Sequence, residues 1–204
     1  PRYSLGRKPG LTLEVPLVKN RRQPSAELPP VSIVVAEAGD AEELHRIAAE
    51  TFPLACPPGT TVENIQSFID TNLSVEALEA YLGDPSRRLW FARAEERVVG
   101  YAMAVSGEPR DPQIAEAVRG RPTAELSKIY VAGDWQGIGI ARGLMAEFLK
   151  WAAALGAKSV WLGVNKDNAR ANTFYDRSGF ERVGERSFLV GCNWESDFVR
   201  ERVL

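Results

Sequence analysis

From residue 31 onwards, apolar positions repeat along the chain with the periods of both strands and helices. Apolar β-branched runs or strict alternation are typical of strands, whereas apolar positions three and four residues apart are typical of helices. The pattern predicts, in chain order, a strand at 31–38, helices at 39–52, 62–73 and 74–82, strands at 87–95, 97–107 and 125–131, a helix at 138–155, a strand at 157–164, a helix at 167–179, and strands at 180–190 and 196–204.

Residues typical of helix and strand ends support these bounds. Thr60 or Thr61, and then Ser74, precede two apolar helical segments as N-cap residues do, and Gly179 follows the last predicted helix as a stop signal. Two strands that meet at residues 95–96 predict a β-hairpin. Strands and helices in this order predict an α/β (α+β) fold.

Two segments lack such a pattern. Residues 108–124 form a polar stretch with no predicted element, and residues 1–30 carry six prolines and six Lys or Arg residues before ending in a double proline. This composition predicts an irregular, solvated extension at 1–30 and a domain at 31–204. Contact of the basic extension with a membrane surface or an acidic partner is the alternative.

Composition and charge narrow the class of protein. The chain has 204 residues, of which 45% are hydrophobic and 25% charged, as in one globular domain. It has no apolar run near the roughly 20 residues that cross a bilayer, and no apolar core of a secretory signal, so we expect a cytoplasmic protein that does not bind membranes. A net charge of −2 gives no bulk attraction for nucleic acid. A small or cationic partner is expected, and a homodimer is left open.

Cysteine and histidine content argues against several kinds of site. Cys56 and Cys192 are far apart without the spacing of metal ligands, and His45 is the single histidine. We therefore expect no metal, no disulfide scaffold and no serine-type triad.

Gly137 and Gly139 lie between a predicted strand and a predicted amphipathic helix. A glycine inside a helix costs roughly 1 kcal/mol relative to alanine, so these two are expected to serve through their backbone. Bare amide groups at the start of a helix, where the dipole is positive, bind phosphate. The loop is therefore predicted to hold an anion.

The kind of glycine loop narrows the ligand. No Gly-Lys-Ser or Gly-Lys-Thr follows, which excludes an ATP-binding P-loop. A dinucleotide fingerprint has three glycines after an N-terminal first strand, whereas this loop comes late in the chain, so dinucleotide binding is the weaker alternative.

The segment QGIGIA at 136–141 matches the pattern QxxGxA. It follows ELSKIYV and precedes VWLGV, the NxxAxxFY segment at 168–175 and SGF. In this order the segments resemble the acetyl-CoA loop and its surroundings in the GNAT N-acetyltransferase superfamily, over residues 31–204. The resemblance implies a mixed, mostly antiparallel central sheet of about six or seven strands, with a splay between two parallel strands and helices on its flanks.

A narrower resemblance concerns the acceptor. Residues 61–82, 160–180 and 186–204 are similar to the PaiA-type bacterial polyamine acetyltransferases. This implies a small amine as acceptor, with a polyamine as first candidate. A protein N-terminus or lysine is the alternative acceptor, and a non-catalytic acyl-CoA-binding regulatory module is the alternative of another class.

The resemblance to the superfamily also implies a set of cofactor contacts. The Val131 N–H would receive the thioester oxygen, and Arg142 would add charge near the phosphates, unless it is a solvated helix residue. The residues that the resemblance places at acetyl-CoA are Ile129, Tyr130, Val131, Gln136, Gly137, Ile138, Gly139, Ile140, Ala141, Arg142 and Asn168.

Two residues are predicted to move protons. Asn168 and Tyr175 are seven residues apart, about two helical turns, and so share a helix face. By resemblance Tyr175 protonates the leaving thiolate, although it could instead be a core aromatic beside Phe174. Glu125 is the candidate base, acting through water, with an exposed acid at a strand end as the alternative.

Acids in the polar stretch at 108–124 offer a further role. Glu108, Asp111 and Glu116 could steer a polyamine toward the acceptor channel, or they could be solvated and balanced by nearby arginines.

Overall fold

The computed structural model of the protein describes residues 29–56, 59–190 and 193–204, without the side chains of residues 188–190 and 193–195. The extension predicted at 1–30 thus lies outside the described residues except for its last two prolines, and Cys192 lies outside them too. The strands are β1 (Val31–Val35), β2 (Arg87–Ala94), β3 (Arg97–Ser106), β4 (Thr123–Val131), β5 (Ser159–Asn165), β6 (Glu181–Val190) and β7 (Asn193–Val203). The helices are α1 (Ala41–Thr51), α2 (Val62–Asn72), α3 (Val75–Gly83), α4 (Pro112–Ala117), α5 (Ile140–Ala154) and α6 (Ala169–Arg177).

The seven described strands form one sheet in the order β1-β2-β3-β4-β5-β7-β6. All neighbouring strands are antiparallel except β4 and β5, which are parallel. The predicted hairpin of β2 and β3 is confirmed, with Glu95 at its turn in a positive-φ conformation (52°). The predicted mixed, mostly antiparallel sheet is also confirmed.

The parallel strands β4 and β5 separate along their length. They pair only where Thr123–Glu125 of β4 faces Ser159–Trp161 of β5, although β4 continues to Val131 and β5 to Asn165. The predicted splay is therefore present, and it leaves a gap in the middle of the sheet.

Helices cover both faces of the sheet. Trp151 of α5 contacts Trp90 of β2, with ring centroids 5.9 Å apart, and Arg200 of β7 donates to Asn172 of α6 at 3.1 Å. The strand register places Trp90 and Arg200 on the same face, here called the α5 face. Helices α1 and α4 pack on the opposite face, here called the α1 face.

Side-chain caps fix the starts of two helices as predicted. Thr61 Oγ1 accepts a hydrogen bond from Asn64 N, and Ser74 Oγ accepts one from Ala77 N, both at 3.2 Å. Such caps satisfy amide groups that have no partner inside the helix. The bounds of α2 and α3 are therefore local properties of the sequence.

Two sequence predictions are wrong at the level of elements. The stretch at 108–124 contains α4, whose first amides bond to the Asp111 carboxylate, and a helix of six residues is too short to show a clear apolar period. The helix predicted at 138–155 begins only at Ile140, because Gly139 has φ +98° and ends the preceding turn.

Candidate active site

A cavity of about 1530 Å³ opens where β4 and β5 separate. Its walls come from β4, the glycine turn, the first turns of α5 and α6, and the segment that joins α1 to α2, with Arg186 and Asp197 contributed by β6 and β7. A drug-sized ligand occupies a site of roughly 300–1,000 Å³. The cavity is therefore large enough for two substrates side by side.

Contacts at the start of β4 fix the point at which the strands separate. Thr123 Oγ1 donates to Ser159 O at 3.0 Å, and the Glu201 carboxylate accepts from Gly120 N at 2.7 Å. A Cβ at Gly120 would lie 2.5 Å from the Cβ of Ser159, so a larger residue would push the strands apart. These contacts hold β4 against β5 as far as Glu125 and no further.

Backbone groups of β4 face the gap at alternate residues. Ala132 N donates to Val99 O of β3 at 2.9 Å, and successive residues of a strand direct their N–H groups to opposite sides. Val131 and Ile129 therefore direct their N–H and C=O groups into the gap. Consistent with this direction, the Val131 carbonyl accepts from Gln136 Nε2 at 2.9 Å. An extended ligand that lies in the gap can thus pair with β4 like an additional strand.

The glycine turn opens toward the same gap. Gly137 has φ +86° and Gly139 has φ +98°, both in the region that favours glycine, and a Cβ at either position would meet no atom within 4 Å. Gly139 is the N-cap of α5 and has no side chain to occupy the first amides of the helix. Ile140, Ala141 and the two glycines line the cavity. The turn therefore has the geometry that anion-binding helix starts require.

Ile138 departs from the predicted set. It lies between the two glycines, its residue is 49% exposed, and it does not line the cavity. The two positive-φ residues on either side turn its side chain toward solvent, so only its backbone belongs to the turn.

The Gln136 side chain connects β4 on one side of the gap to α6 on the other. Its Nε2 donates to Val131 O, and its Oε1 accepts from Arg170 Nη1 in the first turn of α6. Arg170 was missed by the sequence reading, because only the folded chain brings α6 beside the glycine turn. Its position two residues after Asn168 is the one signal in the sequence.

Arginine side chains line the cavity from α5, α6 and β7. Arg142 and Arg170 lie in the first turns of α5 and α6, beside the glycine turn, whereas Arg177 and Arg202 line the cavity at the other end of α6. Guanidinium groups bind phosphate through two parallel hydrogen bonds, so Arg142 and Arg170 suit a ligand that carries phosphates at the turn.

Asn168 and Tyr175 line the cavity from α6, as their spacing predicts. Asn168 Oδ1 caps the helix by accepting from Ala171 N at 3.0 Å, so a ligand would meet the amide NH₂ group. Tyr175 is 91% buried beside Phe174 and Phe180. Burial raises the pKa of its phenol well above the usual value, which keeps the hydroxyl protonated as a proton donor must be.

Glu125 and Lys128 meet at the other end of the gap because β4 contains a bulge. The register pairs Val105 with Glu125 but Met103 with Lys128, so one extra residue lies on β4 between the two pairs. Residues three apart normally lie on opposite faces of a strand, and the bulge brings these two to the same face, the α1 face. Lys128 lines the cavity, whereas Glu125 lies just beyond its wall, half-buried at the last parallel pair.

Tyr130 lines the cavity with its side chain rather than with its backbone. Its backbone faces β3, and its ring lines the cavity and stacks on Tyr101 at 5.6 Å. Beside it, Arg186 donates to Asp197 at 3.0 Å, and a Cβ on Gly163 would lie 3.1 Å from that guanidinium. The ion pair thus lies directly over β5 and closes this end of the cavity, here called the acceptor end.

Burial governs the ionisable groups of the acceptor end. It raises the pKa of Glu125, and the nearby cations of Arg186, Lys128 and Arg87 oppose this only in part. It lowers the pKa of Lys128 and raises that of Tyr130 to about 12. A carboxylate and an ammonium with pKa values displaced toward one another are typical of proton-transfer sites.

The acids of the 108–124 stretch are used elsewhere. Glu108 forms an ion pair with Arg121, Asp111 caps α4, and Glu116 is exposed. The cavity walls, among the described residues, include none of these three acids. The structure therefore favours the solvated interpretation of this stretch.

Within the described part of the chain, no group of three or more His, Cys, Asp or Glu residues could hold a metal ion. His45 Nδ1 contacts Leu73 O at 2.6 Å, outside the cavity walls. No helix among the described residues combines the length and the apolar character needed to cross a membrane.

Comparison with known proteins decides the family. The model of the acetyltransferase (GNAT) family matches residues 41–180, which is more than half of the chain. The chain belongs to this family. It is accordingly an acetyl-CoA-dependent acyltransferase with the GNAT fold, and the resemblance read from the sequence is confirmed at the level of the superfamily.

Relatives and solved structures agree with this assignment. An uncharacterized N-acetyltransferase of Mycobacterium tuberculosis is 46% identical over 165 residues, which cover 81% of this chain and 98% of the relative. The PaiA N-acetyltransferase of Thermoplasma acidophilum, solved in complex with coenzyme A, has a TM-score of 0.68 at 20% identity and covers 86% of this chain and 99% of its own. Arabidopsis thaliana NAA60 in complex with acetyl-CoA has a TM-score of 0.66 at 17% identity, with 86% and 99% covered.

Proposed function

We propose that the chain transfers the acetyl group of acetyl-CoA to a primary amine by direct attack while both substrates are bound. The observation that carries the proposal is the gap between β4 and β5, which joins an anion-binding glycine turn at one end to Glu125 and Lys128 at the other. In this arrangement the cofactor phosphates lie at the start of α5 and the pantetheine arm pairs with Ile129 and Val131.

The chemistry follows from the groups around the gap. The amine nitrogen forms a bond to the thioester carbon, the carbon–sulfur bond breaks, and an N–H of the gap-facing amides stabilises the oxyanion. Glu125 accepts the proton of the amine through water, and Tyr175 donates a proton to the departing thiolate. A raised carboxyl pKa suits this base, and a buried, protonated phenol suits this acid.

A small amine is the proposed acceptor, within a domain that begins near residue 31. The polyamine candidate is supported by the sequence resemblance to PaiA-type enzymes, but not by Glu108, Asp111 and Glu116, which lie off the cavity walls. At the acceptor end, the carboxylates of Glu125 and Asp197 are balanced by nearby cations. Polyamines are therefore the first class to test and not the only one.

Release of free thiol from acetyl-CoA, measured against polyamines, aminoglycosides, amino acids and peptides, tests the proposal. We expect one class of amine to drive release, and Tyr175→Phe to slow it by roughly 10²-fold with coenzyme A affinity unchanged, since the phenol acts only on the thiolate. Tyr81→Phe, outside the cavity walls, is the matched control. Binding of acetyl-CoA without release for any amine would favour the non-catalytic module, and full activity of Tyr175→Phe would remove the assigned acid.

A further inference from the structure

Lys128 brings an alkyl amine of the chain itself to the acceptor end of the cavity. It lies on β4 directly before Ile129, whose backbone faces the gap, and its side chain is half-buried in the cavity wall. Neither the predicted cofactor set nor the proposed proton transfers use it.

The direction of the cofactor places the acyl group near this lysine. The phosphates lie at the glycine turn, which follows β4, so the pantetheine arm must run back along the strand past Val131 and then Ile129. The strands pair again at Glu125, which closes the gap at its far end. We place the thioester between Ile129 and Glu125, the part of β4 that carries Lys128, and thus further along the gap than the Val131 N–H to which the resemblance assigns its oxygen.

Lys128 also has a proton acceptor at hand. The bulge of β4 places it on the same face as Glu125, and the two groups interact electrostatically. Burial lowers the pKa of Lys128, the Arg87 guanidinium lowers it further, and the Glu125 carboxylate opposes both effects. A larger share of this side chain is therefore the neutral, nucleophilic amine than for a lysine in water.

The other described lysines lack these features. Lys150 has a side chain that is 71% exposed and paired with Glu147 at 2.7 Å on α5, Lys166 pairs with Glu185, and Lys158 is exposed. None of the three lines the cavity. Proximity to a bound thioester thus distinguishes Lys128 from them.

We propose that Lys128 is a site of self-acetylation, at which the chain transfers an acetyl group from its own bound acetyl-CoA to the Nζ atom. Glu125 takes the proton of the ammonium, and the carbon–nitrogen bond then forms as the carbon–sulfur bond breaks. Tyr175 protonates the departing thiolate, so that coenzyme A leaves as the thiol, and the second proton lost by the nitrogen restores the phenol. The product is acetyl-lysine, which removes a cation beside Glu125. This inference rests on the proposed function, because it uses the same cofactor geometry and the same base.

Self-acetylation has a consequence for turnover. The acetylated side chain occupies the acceptor end, so it competes with the amine substrate for the same space. We expect the acetylated chain to turn over its amine more slowly, and the presence of that amine to slow labelling of Lys128.

Mass spectrometry of the full chain tests the inference. The chain is incubated with acetyl-CoA that carries an isotopically labelled acetyl group, without acceptor, and label is mapped by peptide. We expect Lys128 to gain label at least about tenfold faster than Lys150, because the bound thioester is held beside it. The rate of labelling per chain should not depend on protein concentration, because the reaction is intramolecular. Coenzyme A should slow the labelling, because it competes with acetyl-CoA for the same site. Lys128→Arg should bind coenzyme A normally. No position of this variant should gain label faster than Lys150 does.

Opposite outcomes would overturn the inference. Equal labelling of Lys128 and Lys150 would indicate ordinary chemical acetylation. A rate per chain that rises with protein concentration would indicate that one copy acetylates another, which would also overturn the inference. Amine-dependent thiol release measured on the same preparation separates the two proposals: release without label on Lys128 overturns the self-acetylation alone. Failure of the folded chain to bind coenzyme A would overturn both.

Discussion

At the scale of single residues, Glu125 shows how position changes the proton affinity of an ordinary carboxylate. It lies half-buried at the last pair of β4 and β5, where removal from water raises its pKa. The cations of Arg186, Lys128 and Arg87 oppose that shift. A group with this balance accepts a proton more readily than a solvated acid does.

The pH dependence of kcat/KM checks this assignment. A base works only when ionised, so activity should fall as pH falls through the raised pKa of Glu125, that is, at a higher pH than for an ordinary glutamate. Glu125→Gln should lower the rate by roughly 10²-fold and remove that acidic limb. Glu116→Gln, an exposed acid of α4 outside the cavity walls, is the control. An unchanged limb in Glu125→Gln would reject the base.

At the scale of elements, the two glycines that flank α5 allow the conformational role of a glycine to be distinguished from a role in binding. Gly139 and Gly156 both have positive φ, at +98° and +78°, and a Cβ at either would meet no atom within 4 Å. They flank the two ends of the same helix, but only Gly139 lines the cavity.

Alanine at these two positions should therefore lower the free energy of unfolding equally but should affect the affinity for coenzyme A differently. We expect each of Gly139→Ala and Gly156→Ala to lower the free energy of unfolding by roughly 1–2 kcal/mol, because alanine is strained in the left-handed region. Only Gly139→Ala should also weaken binding of coenzyme A, since its methyl group stands where the diphosphate lies. Urea denaturation and calorimetry measure the two effects. Equal affinities of the two variants would place the phosphates elsewhere.

Local patterns in the sequence predicted the elements that depend on neighbouring residues. The hairpin of β2 and β3 and the caps at Thr61 and Ser74 are set within a few residues, and each is found as predicted. The superfamily motif at residues 136–141 supplied most of the predicted cofactor contacts, because it is a continuous stretch of chain.

Features that depend on distant parts of the chain could not be predicted in this way. Arg170 reaches Gln136 from 34 residues away, and Arg186 and Asp197 arrive at the cavity through the insertion of β7 between β5 and β6. The bulge that aligns Glu125 with Lys128 is a property of the pairing of β4 with β3, and the sequence of β4 alone does not reveal it.

At the scale of the whole molecule, the sheet consists of two parts that share a short parallel ladder. Strands β1 to β4 and strands β5 to β7 meet only between Thr123–Glu125 and Ser159–Trp161, and beyond these pairs the gap takes the place of a ladder. A cofactor that pairs with β4 in the gap would fill this interruption and contact both parts. Its binding should therefore stabilise the entire fold, by about 2.7 kcal/mol at a concentration 100 times its dissociation constant.

Amide hydrogen exchange distinguishes this bridging from binding at the turn alone. Without ligand, the gap-facing amides of Ile129 and Val131 should exchange faster than that of Ala132, which donates to Val99 O at 2.9 Å in the β3–β4 ladder. Coenzyme A should slow exchange at Ile129 and Val131 more than at Ala132, because the pantetheine arm supplies acceptors to these two amides only. Adenosine 3′,5′-bisphosphate, which lacks the arm, is the control and should leave both amides unprotected. If coenzyme A protected Ala132 as strongly as its two neighbours, the arm would not lie along β4, and the geometry proposed for acyl transfer would be wrong.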